Sequence, residues 1–321
     1  MRYKILLIGL GQVGMGYDLN VSDLEVVSSH AKAFAGHPDF ELVGGIDPDA
    51  KVRTLFSGRY GVWAGSDLVE GLSMLKPEVV VIASPTEHHA ESVRLALRHS
   101  SPRIILCEKP LSYKLEEAEV MVNECRAAGC LLYVNYLRRV EPGVLEIKRR
   151  LQDGSIALPL KGVLWYSKGL LHNGSHFSNL LEFWLGPVES FKIINSGRAW
   201  GDMDFESDVH VKFKLGEVCF LAAKDEYFSH HEIQLVASNG CLRYEQGGAK
   251  IIWQATQTDS GFPEYIVLST PGEKIATQAN KLQWHVSDSV SACLSGRPTT
   301  LCSGEDALET LKWLLKMKEA L

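Results

Sequence analysis

Ile5-Leu6-Leu7-Ile8-Gly9-Leu10-Gly11-Gln12-Val13-Gly14 opens the chain with an apolar run closed by three spaced glycines. Four consecutive apolar residues suit a strand buried on both faces, and Gly-x-Gly-x-x-Gly suits the turn from such a strand into a helix. Gly9 would permit the tight bend, Gly11 would let backbone approach a pyrophosphate, and Gly14 would allow close helix–strand packing. Gln12 and Val13 complete the loop. The following helix N-terminus would offer unpaired N–H groups and partial positive charge to the phosphates. A chain with 28 glycines can produce this spacing by chance, so its place directly after a strand gives it weight. The competing reading is a glycine-rich turn that binds nothing.

Working outward, strand-like runs recur at 5–8, 41–46, 79–83, 104–107 and 131–134, with helical patterns at 87–99 and 115–128. That alternation is the rhythm of a doubly wound parallel α/β sheet, the Rossmann arrangement. After Tyr136 the pattern changes. A helix at 142–151 is followed by strands at 208–215, 217–223, 232–237, 241–245 and 250–254, several alternating apolar and polar residues as antiparallel strands do. Two helical patterns, 281–294 and 305–321, end the chain. The expected fold is a Rossmann domain over 1–135 and an α+β domain with a mainly antiparallel sheet over 136–321. The last helix is the element with the option of packing back on the first domain.

An acidic residue should follow the glycines by about 20 positions, at the end of the second strand. Asp47 ends the strand 41–46 but lies 33 residues after Gly14. An insertion through about 16–27, with a helix resuming at 30–35, accounts for the excess. Asp47 would accept hydrogen bonds from both adenosine ribose hydroxyls and repel a 2′-phosphate, which favours NAD. Lys51 and Arg53 keep NADP as the alternative. An Asx turn with Pro48 would also explain an aspartate here.

Composition excludes several classes. Lys and Arg total 33 against 39 acidic residues, a formal charge of −6, which argues against nucleic acid or an anionic membrane as partner. No apolar run approaches a membrane span, and glycines 9, 11 and 14 interrupt the one stretch that imitates a signal peptide. Seven cysteines without a Cys-x-x-Cys pair fit reduced thiols in a cytoplasmic protein rather than disulfides or zinc.

Three further clusters carry chemistry. Ala83-Ser84-Pro85-Thr86-Glu87-His88-His89 and Cys107-Glu108-Lys109-Pro110 follow strands, where ligands bind in open parallel sheets. Leu171-His172-Asn173-Gly174-Ser175-His176 precedes an apolar helix at 177–185. With the glycines, the Glu108-Lys109-Pro110 triplet, Arg138-Arg139 and Gly174-Ser175-His176 in this order, the whole chain resembles the Gfo/Idh/MocA oxidoreductases, the family of glucose–fructose oxidoreductase and inositol 2-dehydrogenase. The resemblance implies a large open sheet in the second domain and a homo-oligomer, dimer or tetramer, formed through it. It also implies transfer of hydride between a nicotinamide and a hydroxyl carbon of a sugar, cyclitol or sugar nucleotide. Lys109 and His176 would flank the substrate hydroxyl, and Ser84, Pro85, His89, Glu108 and Lys109 itself would lie by the cofactor. Independently of the family, hydride leaves carbon only as the hydroxyl proton departs, so a nearby donor–acceptor such as lysine is required. A surface lysine paired with Glu108 is the competing reading of Lys109.

Inositol dehydrogenase-like relatives carry Asp-x-Gly-x-His-x-x-Asp, whereas this chain reads His172-Asn173-Gly174-Ser175-His176-Phe177-Ser178-Asn179. Neither imidazole nor amide supplies the missing negative charge. His172 is therefore expected to serve as a second substrate-facing acid–base or hydrogen-bonding group. Asn179, Tyr136 and Arg138 are expected substrate contacts, Arg138 through a forked pair to a carboxylate or phosphate or, equally, as a structural ion pair. No metal is expected, because His-Asn-Gly-Ser-His lacks the glutamate of a zinc-protease helix. His30, His37, His99, His230 and His231 join no constellation, and Trp165, Trp184, Trp253 and Trp284 read as packing. Two other activities share such a fold: a non-catalytic NAD(P)-binding regulator and an NAD-dependent glycosidase.

Overall fold

The computed structural model describes every residue except Met1 and Leu24. The chain divides into two compact units, 1–140 with 280–311 and 141–279 with 312–321.

In the first unit, β1 (Tyr3–Ile8), β2 (Phe40–Ile46), β3 (Trp63–Gly65), β4 (Val79–Ile82), β5 (Ile104–Cys107) and β6 (Leu131–Val134) form a parallel sheet in the order β6-β5-β4-β1-β2-β3. The order reverses between β1 and β4, the switch point where doubly wound sheets bind ligands. A two-residue strand, Cys302–Ser303, adds antiparallel to β6. All residues of β4 and β5 are buried, as their unbroken apolarity predicts. The helices are α1 (His30–Gly36), α2 (Ala50–Tyr60), α3 (Leu68–Leu75), α4 (His89–His99) and α5 (Leu115–Ala127). The sequence pattern misses α2, whose apolar periodicity is too weak to announce it: its only buried residue is Phe56. It also misses α3 and the three-residue β3. The helix Leu282–Leu294 belongs to this unit, and its Val286, Val290 and Leu294 join the same core as Ile5, Leu7, Val79 and Leu106.

The second unit begins with α6 (Pro142–Gln152), started by Glu141 accepting from Val144 N–H at 2.9 Å and by proline at the first position. Its sheet has nine strands: β7 (Leu160–Tyr166), β8 (Val188–Trp200), β9 (Asp204–Phe213), β10 (Gly216–Ala222), β11 (Glu232–Ala237), β12 (Gly240–Glu245), β13 (Lys250–Thr258), β14 (Ile266–Leu268) and β15 (Glu273–Ile275). Only β7 with β10 is a parallel pair; the rest pair antiparallel. One face packs on α6 and α7 (Ser175–Leu185) through Val144, Ile147, Phe177, Leu181 and Trp184. The Trp184 indole N–H reaches the Val144 carbonyl at 3.2 Å, so its one polar atom is satisfied in the core. The sequence reading overlooks β7 and the 13-residue β8. Most of β8 is exposed or half-buried and its pairing with β9 slips three times, so no clean two-residue alternation survives.

Candidate active site

The glycine loop departs from expectation in an informative way. No regular helix follows Gly14. Met15 N–H bonds to Gly11 O at 2.8 Å to make a single turn, and a short 3-10 turn, Gly16–Asp18, comes next. The chain then leaves and returns: His30 N–H bonds to Val13 O at 3.1 Å and Ala31 N–H to Gly14 O at 2.9 Å. Each of these bonds bridges seventeen residues where an unbroken helix bridges four. The helix is thus interrupted by an excursion of thirteen residues and resumed as α1. Without the excursion, Gly14 and Asp47 stand at the ordinary separation of about 20.

Asp18, 2% exposed, pins the base of the excursion by accepting from Ser28 N–H at 2.6 Å and Ser29 N–H at 3.0 Å. Ser29 in turn caps α1 at Lys32 N–H. Val27 N–H bonds to Asn280 O, so the returning strand of the excursion is fastened as well.

The three glycines divide their work. Gly9 has φ +88, and a Cβ there would sit 2.6 Å from the Ala83 carbonyl oxygen. A Cβ on Gly14 would lie 2.2 Å from the Gly9 oxygen. At Gly11 a Cβ would meet no protein atom within 4 Å. Gly11 instead lines a cavity of about 660 Å³ together with Gly9, Gln12, Val13, Asp47, Ser84 and Pro85. Gly11→Val is therefore expected to leave the melting temperature of the ligand-free protein unchanged while weakening NAD binding tenfold or more, about 1.4 kcal/mol. Calorimetric titration beside a thermal melt checks this; unchanged affinity would remove Gly11 from the pyrophosphate path.

The cavity fits a dinucleotide. Ser84 Oγ is buried in its wall with no hydrogen-bond partner, an orphaned hydroxyl of the kind a ligand satisfies. Asp47 Oδ2 accepts from Leu10 N–H and Oδ1 from Asp49 N–H, both at 2.9 Å. The Asx turn is thus present, and it orients the carboxylate rather than exhausting it, since each oxygen has a second lone pair. Arg53 donates to the Asp47 and Pro48 carbonyls at 2.8 Å each.

Gly14, His89, Glu108 and Lys109 do not line the cavity. His89 is 1% exposed, with Nε2 at 3.0 Å from Ser84 O and Nδ1 at 3.3 Å from Leu111 O, so it braces the two loops that follow β4 and β5. Burial holds its pKa below the ordinary value despite those carbonyls.

Beyond β5, the Glu108 carboxylate is met by His30 Nε2 at 2.8 Å and Asn135 Nδ2 at 2.6 Å on the same oxygen. Asn135 also approaches Gln283 Oε1 at 3.4 Å. His30 and Asn135 are each 1% exposed. Burial works to raise the Glu108 pKa, but the His30 and Asn135 hydrogen bonds and the Lys109 charge outweigh it and hold the carboxyl below its usual range. His30, read from sequence as belonging to no constellation, is the residue that sequence reasoning missed. The signal was available: once the excursion is subtracted, His30 is the residue on which the interrupted helix resumes. The Lys109-Pro110 bond is cis. Tyr136 is buried and Arg138 half-buried, both just past β6.

In the second unit, a π-helical turn, Gly169–Gly174, runs into α7. His172 is exposed and stacks on Trp200 with centroids 5.2 Å apart. His176 is 9% exposed and Asn179 fully buried. Asp204, the first residue of β9, accepts from Leu171 N–H at 2.8 Å and His172 N–H at 2.7 Å. Burial raises the Asp204 pKa against those backbone donors. His231, also without an expected role, stacks on Phe177 and meets Asn173 Nδ2 at 2.5 Å. Among the described residues no group of three or more His, Cys, Asp or Glu is placed to hold a metal, and no helix is long and apolar enough to cross a membrane.

Residues 4–136 match the model of an oxidoreductase family with an NAD-binding Rossmann fold, Gfo/Idh/MocA. Inositol 2-dehydrogenase of Rhizobium meliloti is 26% identical over 157 residues, 49% of this chain and 42% of that enzyme. The chain thus spans under half the length of that relative. D-apiose dehydrogenase of Paraburkholderia graminis is 26% identical over 313 residues, 88% of this chain and 81% of that one. The fold is also that of the WlbA dehydrogenase from Bordetella pertussis, solved with NADH and UDP-GlcNAcA: TM-score 0.77 at 18% identity, covering 99% of this chain and 95% of that one.

Proposed function

We propose that the chain is a Gfo/Idh/MocA oxidoreductase, an NAD-dependent dehydrogenase or ketoreductase acting on a hydroxyl or keto carbon of a sugar, cyclitol or sugar nucleotide; the match of residues 4–136 to that family's model supports the reading. The observation that carries this reading is the cavity at the β1/β4 switch point, with Gly11 open, Ser84 Oγ orphaned and Asp47 at its edge. The relatives with sugar-type names, inositol 2-dehydrogenase and D-apiose dehydrogenase, support the substrate class. Engagement of Arg53 by backbone carbonyls turns its charge toward its own turn, which supports NAD over NADP.

A bound nicotinamide would supply the hydride acceptor or donor. The chain supplies the rest. The Asp47 carboxylate holds the adenosine ribose hydroxyls, and the Gly11 backbone leaves room for the pyrophosphate. Lys109, on the loop anchored by Glu108 N–H to Ile82 O at 2.8 Å, takes or returns the substrate hydroxyl proton at Nζ. His176 and His172 are assigned to substrate contact and proton handling, His176 as the resemblance implies. Tyr136, Arg138 and Asn179 are assigned to substrate binding. The seven free thiols fit a cytoplasmic setting. The outer face of the second sheet, with Trp165 40% and Val236 52% exposed, fits a homo-oligomer.

The reading is tested by incubating the protein with NAD or NADP and a panel of polyols, sugars and sugar nucleotides, following reduced-cofactor absorbance, with the mass measured by light scattering. Net reduction of NAD in preference to NADP, by a particle of two or four chains, is expected. Glycoside cleavage without net reduction would mark a glycosidase, and tight NAD binding with neither would mark a regulator.

A further inference from the structure

The helix α5 ends in a left-handed turn closed by two bonds, Cys130 N–H to Cys125 O at 2.9 Å and Gly129 N–H to Arg126 O at 3.1 Å, with Gly129 at φ +67. This is the Schellman arrangement, which brings the side chain two positions past the helix cap against one on the last turn. That contact is ordinarily between apolar groups. Here both residues are cysteines, and both line one cavity. The backbone that ends the helix therefore fixes the thiol pair. That cavity, of about 230 Å³, has a wall that includes Arg126 and Glu305, themselves ion-paired at 2.7 Å. It shares no lining residue with the cofactor cavity. The pair is buried, 1% and 5% exposed, so this cavity is its route to a small oxidant.

We propose that Cys125 and Cys130 form a redox modification site, closed to a disulfide by hydrogen peroxide and reopened by a dithiol. The two sulfurs have different roles. Pairing with Cys125, against opposing burial, lowers the Cys130 pKa, while pairing and burial raise the Cys125 pKa. Cys130, 5% exposed against 1% for Cys125, is the sulfur the oxidant reaches first, and its thiolate attacks. Its sulfur takes the terminal peroxide oxygen, the O–O bond breaks, and the departing hydroxide recovers as water the proton the thiol had released. The Cys125 sulfur then attacks the Cys130 sulfenic sulfur, and its proton leaves with the sulfenic hydroxyl as a second water. The thiol pair loses two electrons and the peroxide gains them. Of the other cysteines, Cys107 is fully buried and Cys293 lies against the Tyr133 hydroxyl at 3.2 Å.

The test uses the reduced full chain, treated with hydrogen peroxide, blocked with an alkylating reagent and digested with trypsin. Arg126 lies between the two cysteines, so cleavage leaves them on separate peptides held together only by a disulfide. The expected result is a linked pair about 2 Da lighter than its two thiol peptides, abolished by dithiothreitol. In Cys130→Ser the link is absent and Cys125 is recovered as a blocked thiol. Recovery of both wild-type peptides as blocked thiols while Cys219 or Cys293 oxidises overturns the proposal. So does Cys130 driven to sulfinic or sulfonic acid without a link. The wild-type mapping decides by itself, whether or not the variant folds.

Discussion

Lys109→Met is expected to lower turnover by about 10²–10⁴-fold while leaving NAD affinity within a small factor of the wild type. The separation follows from where the residue sits. Lys109 comes two residues past the end of β5, outside the lining of the cavity that Gly9, Gly11, Asp47 and Ser84 form. Removing its ammonium takes away the group assigned to the substrate proton without opening the nucleotide site. Lys109→Arg should fail to restore the rate if the residue must give up a proton, because a guanidinium does not deprotonate in a protein. A Lys109→Arg enzyme of wild-type rate would reassign the residue to purely electrostatic polarisation. The measurements are initial rates at saturating cofactor and a fluorescence titration of NAD. Full activity in Lys109→Met would remove the residue from the reaction altogether.

The second large effect is on folding. His30→Leu strips the Glu108 carboxylate of one of its two short partners in a nearly dry site, where the Glu108 side chain is 12% and His30 1% exposed. Breaking a buried pair by removing one partner costs about 3–5 kcal/mol, because the remaining charge keeps its desolvation penalty. The sign with pH is defined. Glu108 has a folded-state pKa below its unfolded value, so its contribution is present above the unfolded pKa and is lost as pH falls through the folded one. The deficit of His30→Leu should therefore be largest near neutrality and shrink in acid, as the stranded carboxyl takes a proton. Adding Glu108→Gln to His30→Leu should recover part of the loss, since an uncharged amide costs less to bury. Denaturant unfolding from neutral to acidic pH, followed by a probe in the first unit, measures both. A deficit independent of pH and unrelieved by Glu108→Gln would show that His30 acts by packing alone.

The His30–Glu108 contact also shows where sequence reasoning stops. The glycine loop, the apolar strands at 79–82 and 104–107, and the acidic residue at 47 were legible because each is a local pattern: a buried strand needs apolar side chains, and a close turn needs glycine. The excursion after Gly14 was legible as a spacing too long by a fixed amount, but what it accomplishes was not. That depended on His30 N–H returning to Val13 O, a bond across seventeen residues that no periodicity encodes. The short helices α2 and α3 escaped for the opposite reason, having too little buried apolar surface to leave a period.

The second unit repeats the lesson. The motif around His176 was visible, and so was the loss of its two aspartates. That Asp204 would bring a carboxylate to the backbone of His172 came only from the pairing of β8 with β9 and the π-helical turn folded over it. Likewise His231, the residue before β11 of the same sheet, reaches Asn173 and Phe177.

By itself, then, the sequence determined the order of elements, the nucleotide-binding loop, the likeness to the oxidoreductase family and the residue types available for proton transfer. Those follow from side-chain polarity, glycine freedom and spacing along the chain. The tertiary structure alone decided that residues 280–311 return to the first unit, that His30 and Asn135 share the charge of Glu108, and that Cys125 meets Cys130 across a helix end. Each of those is a contact whose partners are chosen by chain closure and packing, and the energy that selects them belongs to the folded molecule rather than to any stretch of its sequence.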